Sequence, residues 1–311
     1  MEIIVDGHCD TIEKALDKQL SLNDKNLSFN LYDTKKLGVP VIQIMAAYVS
    51  PNYEKTFQRA NSILKYFYQQ KEKFGNQFIQ ITFKEQMDKV IQEKNVGCVL
   101  AIENGSAIED KLENVDYFYH QGVRLMSITW NEDNLLGSGA LTKNDKGLTE
   151  FGKKYIQKLN SKNIIIDVSH SSQKTFWDTC KIAHKNIVAT HSCCYRLCQH
   201  PRNLTDEQIK QIASMDGIIG ICYCTKFLSK TGIATTKEIA DHICYVANLV
   251  GVDYVGVGSD FDGLEEDDIP TNLRKISQIE NLLYELRKRG FHESEIHKIM
   301  GKNWIRILKK I

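Results

Sequence analysis

The chain has 311 residues, 42% hydrophobic and 25% charged, with 4 Pro and 19 Gly; this globular composition excludes disordered, collagen-like and low-complexity proteins. Forty Lys and Arg against 39 Asp and Glu leave a net charge of +1, too balanced for the field that draws proteins to nucleic acid or anionic membranes. The longest apolar stretch, residues 39–49, is broken by Pro40 and Gln43 and is too short to span a bilayer.

Short β-branched runs that end in polar or glycine residues predict eight strands, over 3–6, 39–47, 98–102, 123–129, 164–168, 187–190, 218–223 and 254–258. Amphipathic helical segments lie between them, among them 53–74, 149–161, 171–184, 205–215 and 236–250, some opened by N-capping residues. Alternating strands and helices mean a parallel sheet, and the near-continuous apolar strands mean that both of its faces are covered. Eight repeats favour a closed (β/α)8 TIM barrel over a doubly wound sheet. After the first strand comes Asp6-Gly7-His8-Cys9-Asp10, with no glycine-rich phosphate turn, which removes the main support for a nucleotide fold. Two last helical segments, 276–289 and 292–310, are expected to close the ring and to form a C-terminal helical extension. No linker or repeat interrupts the chain, so residues 1–311 are read as one domain.

Barrel active sites gather at the carboxyl ends of the strands, so the residues that end each run carry the most information. The first strand ends in His8-x-Asp10, the third in Glu103, the fifth in His170, the sixth in His191 and the eighth in Asp260. Each has a bland alternative: Asp10 as a helix cap, Glu103 paired with a loop arginine, a lone histidine as a structural residue. Their coincidence at one end of one barrel argues for a single site. Imidazole with carboxylate suits Zn²⁺ and, less exclusively, Mn²⁺ or Co²⁺. The group exceeds the needs of one ion, and a carboxylate such as Glu103 can bridge two ions about 3.5–4 Å apart, which points to a binuclear hydrolytic centre.

The dense segment from His191 to His200 lacks the paired spacings of a structural zinc site, so Cys193, Cys194 and Cys198 are expected to be buried thiols packing a helix. His184, His200, His242, His292 and His297 fall in loops or helical stretches and are read as structural. Ser169 and His170 are adjacent and point to opposite faces, which excludes them as a nucleophile–base pair.

The segments Asp6-Gly7-His8-x-Asp10-Thr11, Ala101-Ile102-Glu103-Asn104-Gly105, Gly122-Val123-Arg124, Gly147-Leu148-Thr149-x-Phe151-Gly152, Asp167-Val168-Ser169-His170, His191-Ser192, Arg202-Asn203-Leu204 and Gly258-Ser259-Asp260-Phe261-Asp262-Gly263 together resemble the renal or membrane dipeptidase family. These are the zinc-dependent M19 peptidases of the amidohydrolase-like barrels, and order and approximate spacing agree over essentially the whole chain. The resemblance implies two zinc ions, one held by His8 and Asp10, the other by His170 and His191, with Glu103 bridging. It also implies that Arg202 binds the free carboxylate of a dipeptide, that a metal-bridging hydroxide attacks the scissile carbonyl, and that Asp260 carries the proton to the leaving amine. Where the family's animal members have a histidine that contacts the substrate carbonyl, this chain has Trp130, which can donate one hydrogen bond or serve as an apolar wall. Without the resemblance, Arg202 reads as a surface residue pairing with Asp206 or Glu207.

Two alternatives keep the same centre: a metal-dependent amidohydrolase acting on another small amide or lactone, and a barrel that binds metal without turnover. A carboxylate clamp at Arg202 favours dipeptides over the first, and an intact Asp260 argues against the second. A homodimer is compatible with the family resemblance. Nine cysteines, two of them (Cys98 and Cys222) inside strand-like runs, and an N-terminus without a basic leader segment suggest free thiols in a reducing, cytoplasmic compartment, with no membrane anchor.

Overall fold

Eight parallel strands close on one another in the computed structural model, which describes residues 1–184 and 187–311. In chain order the strands are β1 (Ile4–Cys9), β2 (Val41–Tyr48), β3 (Phe78–Gln80), β4 (Val96–Glu103), β5 (Val123–Ser127), β6 (Ile165–Asp167), β7 (Ile187–Ser192), β8 (Ile219–Ile221) and β9 (Val255–Val257). The pairing of β2 with β4 and of β1 with β9 completes the ring. β3 is the one strand that the apolar runs did not predict. Its three residues lie beside the first three of β4, before β5 takes over that edge, so it lies outside the ring of eight.

The alternation along each strand explains why polar faces are scarce. Val5, Ile42, Ile44, Val99, Leu125 and Val188 belong to a cluster that fills the barrel, whereas Ile4, Val41, Met45, Leu100, Ile102 and Ile187 pack with the surrounding helices. Both faces exclude water, so the strands read as unbroken apolar runs. Several helices start where a side chain caps them: Thr149 accepts from Gly152 N–H at 2.9 Å, and Thr205 and Thr235 form reciprocal capping boxes with Gln208 and Glu238.

The C-terminal segment forms the expected helical extension and packs under the barrel. It is helical over Glu293–His297 and Asn303–Leu308, with a π turn over Lys298–Lys302 between them. Beyond that turn Trp304 is fully buried and donates from Nε1 to the Val257 carbonyl at 2.9 Å. A Cβ at Gly7 would lie 2.3 Å from the Trp304 ring, so only glycine admits the indole beside β1. Trp304 shares its cluster with Ile3, Val5 and Ile218, so the segment plugs the barrel at the end opposite the mouth.

Trp304→Ala should therefore destabilise the protein by about 3–5 kcal/mol, the range for emptying a buried aromatic site. Chemical denaturation checks this; a loss below about 1 kcal/mol would mean that the plug is not part of the core.

Candidate active site

Strand phase places Glu103 directly. Val99 and Ala101 point into the barrel, and two residues on, at the end of β4, Glu103 points to the same side at the mouth. The next residue, Asn104, has φ +73 and anchors the turn by donating from its side chain to the Val49 carbonyl at 2.8 Å. His8 and His191 need more than alternation. β1 is irregular in register with β2 between Asp6 and Cys9, and β7 with β8 between Ala189 and Ser192. Such irregularities re-aim side chains, and each one here contains a histidine of the site.

His170 and Asp260 lie just beyond β6 and β9 with φ +67 and +63, a conformation unusual for residues with side chains. Both are held there by hydrogen bonds to neighbouring segments. The His170 carbonyl accepts from Ala140 N–H at 2.8 Å and Thr129 Oγ1 at 3.1 Å, and Asp260 N–H donates to the His8 carbonyl at 3.1 Å. Asp10 occupies the cap position of the helix Thr11–Asp17, yet its side chain makes no cap bond. Its Oδ1 is buried without a partner, so the capping explanation for Asp10 fails.

These six side chains meet. His8 Nε2 lies 3.1 Å from Glu103 Oε2, 3.5 Å from Asp10 Oδ2 and 3.8 Å from Asp260 Oδ1. The other oxygen of Glu103, Oε1, lies 2.9 Å from His170 Nε2 and 3.8 Å from His191 Nε2, and those two nitrogens are 2.8 Å apart. Glu103 thus separates two groups of ligand atoms, one oxygen toward each.

Burial works against charge on His8, but the carboxylates of Glu103 and Asp10 outweigh it and hold that imidazole's pKa above its ordinary value. Burial, with the charge of Glu103, pushes Asp10 up to about 6, and burial raises Asp260 to about 7 despite the opposing pull of His8. Burial holds His170 and His191 below the ordinary histidine range, aided by the Arg202 charge at His170 and by the His8 charge at His191. The lowered His170 and His191 favour the neutral state that a divalent cation requires of histidine ligands, whereas at His8 a cation must displace a proton. The orphaned Asp10 Oδ1, the divided Glu103 and the oxygen–nitrogen donor set all fit a metal centre of the zinc type.

The centre opens into a cleft of 660 Å³ whose walls include Asp10, Tyr48, Glu103, Trp130 and Asp260. Trp130 stands between Tyr48 and His170, at ring distances of 5.3 and 5.9 Å. Arg202 is absent from the lining of that cleft. It lines a second pocket of 250 Å³ together with His170, and its Nη2 donates to the His191 carbonyl at 3.3 Å. Arg202 is buried, its Nε lacks a partner, and no carboxylate pairs with it among the described residues; Asp206 instead accepts from the Tyr245 hydroxyl at 2.9 Å. The surface-pair explanation for Arg202 is thereby overturned.

Cys193, Cys194 and Cys198 are buried as expected, in the loop after β7, and Cys194 packs against the helix Thr236–Val250. Hydrogen bonds settle that loop: Cys194 N–H donates to His242 Nδ1 at 2.9 Å, and His242 lies opposite the Leu228 carbonyl at 3.1 Å, so His242 is structural. Sequence reading missed Tyr48, which pairs in register with Glu103 at the end of β2; a tyrosine closing an apolar run was the available signal. It also missed Asn131, whose Oδ1 lies 2.8 Å from His170 Nδ1.

Residues 1–311 match the family described as membrane dipeptidase, peptidase family M19. A protein of Klebsiella pneumoniae, described as an uncharacterized protein in the pqqA 5' region, is 33% identical over 235 residues, 72% of this chain and 86% of its own. Among solved structures, a metallopeptidase from Rhodobacter sphaeroides liganded with a phosphinate mimic of the dipeptide L-Ala-D-Ala superposes with a TM-score of 0.90 at 22% identity, covering 99% of this chain and 98% of that one. A dipeptidase AC, described as an M19 metallopeptidase, superposes at 0.91 with 24% identity, covering 100% and 99%. At these identities the structural likeness speaks for the fold.

A carboxyl whose folded pKa is raised from 3.8 to about 7 contributes stability that is full below about pH 4 and lost as the pH climbs to 7. In chelator-treated protein, Asp260→Asn, which does not titrate, should therefore gain in stability relative to wild type across that window. Urea denaturation at several pH values measures the difference; one that stays flat from pH 4 to 7 contradicts the raised pKa.

Proposed function

The chain belongs to the membrane dipeptidase family, peptidase family M19, and is a metal-dependent dipeptidase; on that premise we propose that its site holds two zinc ions, with His8 and Asp10 at one, His170 and His191 at the other, and Glu103 bridging. The observation that carries this reading is the division of Glu103, Oε2 at 3.1 Å from His8 and Oε1 at 2.9 Å from His170. Manganese and cobalt suit the same donors as substitutes. Bound there, the ions supply an acidified water and polarisation of the scissile carbonyl.

The chain's own residues do the rest. Asp260, raised to about 7 and placed at the cleft beside His8, is suited to take a proton from the attacking water near neutral pH and to release it to the leaving amine. Arg202 offers a guanidinium fork to the substrate's free carboxylate, and its burial without an acidic partner supports that role, because an isolated buried charge is costly until an anion joins it. Trp130 and Tyr48 form an aromatic wall that excludes water from one side of the substrate, and the indole N–H is available for one hydrogen bond to it. All nine cysteines are free thiols, seven of them buried, which fits the proposed cytoplasmic location.

Elemental analysis of protein supplied with excess zinc should give two ions per chain; a value that never exceeds one would defeat the bridged arrangement. Asp260→Asn should keep its metal and lose about 10²–10⁴-fold in kcat, because an amide preserves shape but cannot shuttle a proton. Loss of metal in that variant would make Asp260 a ligand instead.

Comparing kcat/KM for a dipeptide and its C-terminal amide, with L,L and L,D members, tests the clamp. Wild type should discriminate against the amide, and Arg202→Ala should lose on the order of 2–5 kcal/mol toward the free dipeptide, as when one partner of a buried charge pair is removed. Equal hydrolysis of acid and amide by wild type would rule the clamp out.

A further inference from the structure

Asp167 ends β6, is buried, and sits among hydrogen-bond donors. Its Oδ1 accepts from the backbone N–H groups of Ser169 at 2.9 Å and Thr190 at 3.0 Å, and its Oδ2 accepts from the Thr190 hydroxyl at 2.5 Å. A hydroxyl has a single proton. With that proton committed to Asp167, the Thr190 oxygen faces its other neighbours as an acceptor. Two of them are imidazole nitrogens, His191 Nδ1 at 2.8 Å and His8 Nδ1 at 3.5 Å. The third, Ser169 Oγ at 3.4 Å, itself accepts from His191 N–H at 3.2 Å.

A ring nitrogen facing an acceptor carries the proton, which leaves the far nitrogen of a neutral imidazole with its lone pair free. In His191 that far nitrogen, Nε2, lies 3.8 Å from Glu103 Oε1. His8 differs: its Nε2 lies 3.1 Å from Glu103 Oε2, nearer than its Nδ1 lies to Thr190, so the carboxylate governs that ring. We propose that Thr190, polarised by Asp167, is a positioning residue that fixes the Nδ1-protonated tautomer of His191. Zinc affinity on the His170–His191 side then depends on a hydroxyl that is not itself a ligand. This inference rests on reading His191 as a metal ligand.

Thr190→Val removes the hydroxyl at nearly constant volume, and Thr190→Ser restores it. The full-length proteins are stripped with chelator, titrated with zinc against a competing indicator, and compared by ¹⁵N NMR of the imidazole nitrogens before zinc is added. Wild type should show protonated Nδ1 and unprotonated Nε2 on His191. Thr190→Val should lose about 10–100-fold in zinc affinity, the usual effect of removing a partner of a ligating histidine, and Thr190→Ser should recover most of it. Thr190→Val that binds both ions as tightly as wild type, with unchanged tautomers, overturns the proposal. So does an unprotonated Nδ1 on His191 of the wild type, a result that needs no variant to fold. Wild type that takes up no zinc refutes the metal reading itself, and the tautomer measurement still judges the role of Thr190.

Discussion

Asp10, Glu103 and Asp260 place three carboxylates within 3.8 Å of one imidazole nitrogen, His8 Nε2. Like charges this close repel strongly where water is scarce; Lys14 pairs with Asp262 at 3.0 Å and Arg59 with Glu13 and Asp17 at 2.8 and 2.7 Å, which leaves Arg202 as a nearby cation whose charge favours ionised Asp260. Burial, and after it this crowding, raises the pKa values of Asp10 and Asp260, and a bound divalent cation would relieve the repulsion. The mouth is best understood as a frame that keeps these groups together against their repulsion.

The frame is built from backbone. Four residues around the site, Asn104, His170, Asp260 and Asp262, adopt positive φ without being glycine. Such conformations persist only when their surroundings impose them. Asp262 shows how: its carboxylate accepts from Thr11 Oγ1 at 2.6 Å, Lys14 Nζ at 3.0 Å and Ser28 N–H at 2.9 Å, which ties the loop after β9 to the helix and loop after β1. The first and last strands of the ring thus share one hydrogen-bonded corner, and His8 and Asp260 lie on either side of it.

Much of this was legible in the residues. Eight apolar runs separated by helical segments identified the barrel strands, because burial on both faces leaves an unbroken apolar signature. The ligand candidates stood out as the polar residues that end those runs. Less visible was whatever depends on contacts between distant segments. β3 is too short for a pattern, and the π turn at Lys298–Lys302 follows from fitting the last helix under the barrel. Thr190 looks like an ordinary strand threonine until Asp167 and two histidines are seen around it. Arg202 could not be told from a surface arginine by composition; only its burial without an acidic neighbour separates the two.

The position of Trp304 has a bearing on how the ring is closed. The indole fills space left by glycines on β1 and β9 and seals the barrel floor. The floor contact joins Gly7 to Trp304, so β1, which carries His8, gains its final packing only once a segment far downstream has folded. A contact of such sequence separation carries a high loop-closure entropy and tends to form late. The orientation of His8 at the mouth thus depends on a helix that seals the opposite end of the barrel.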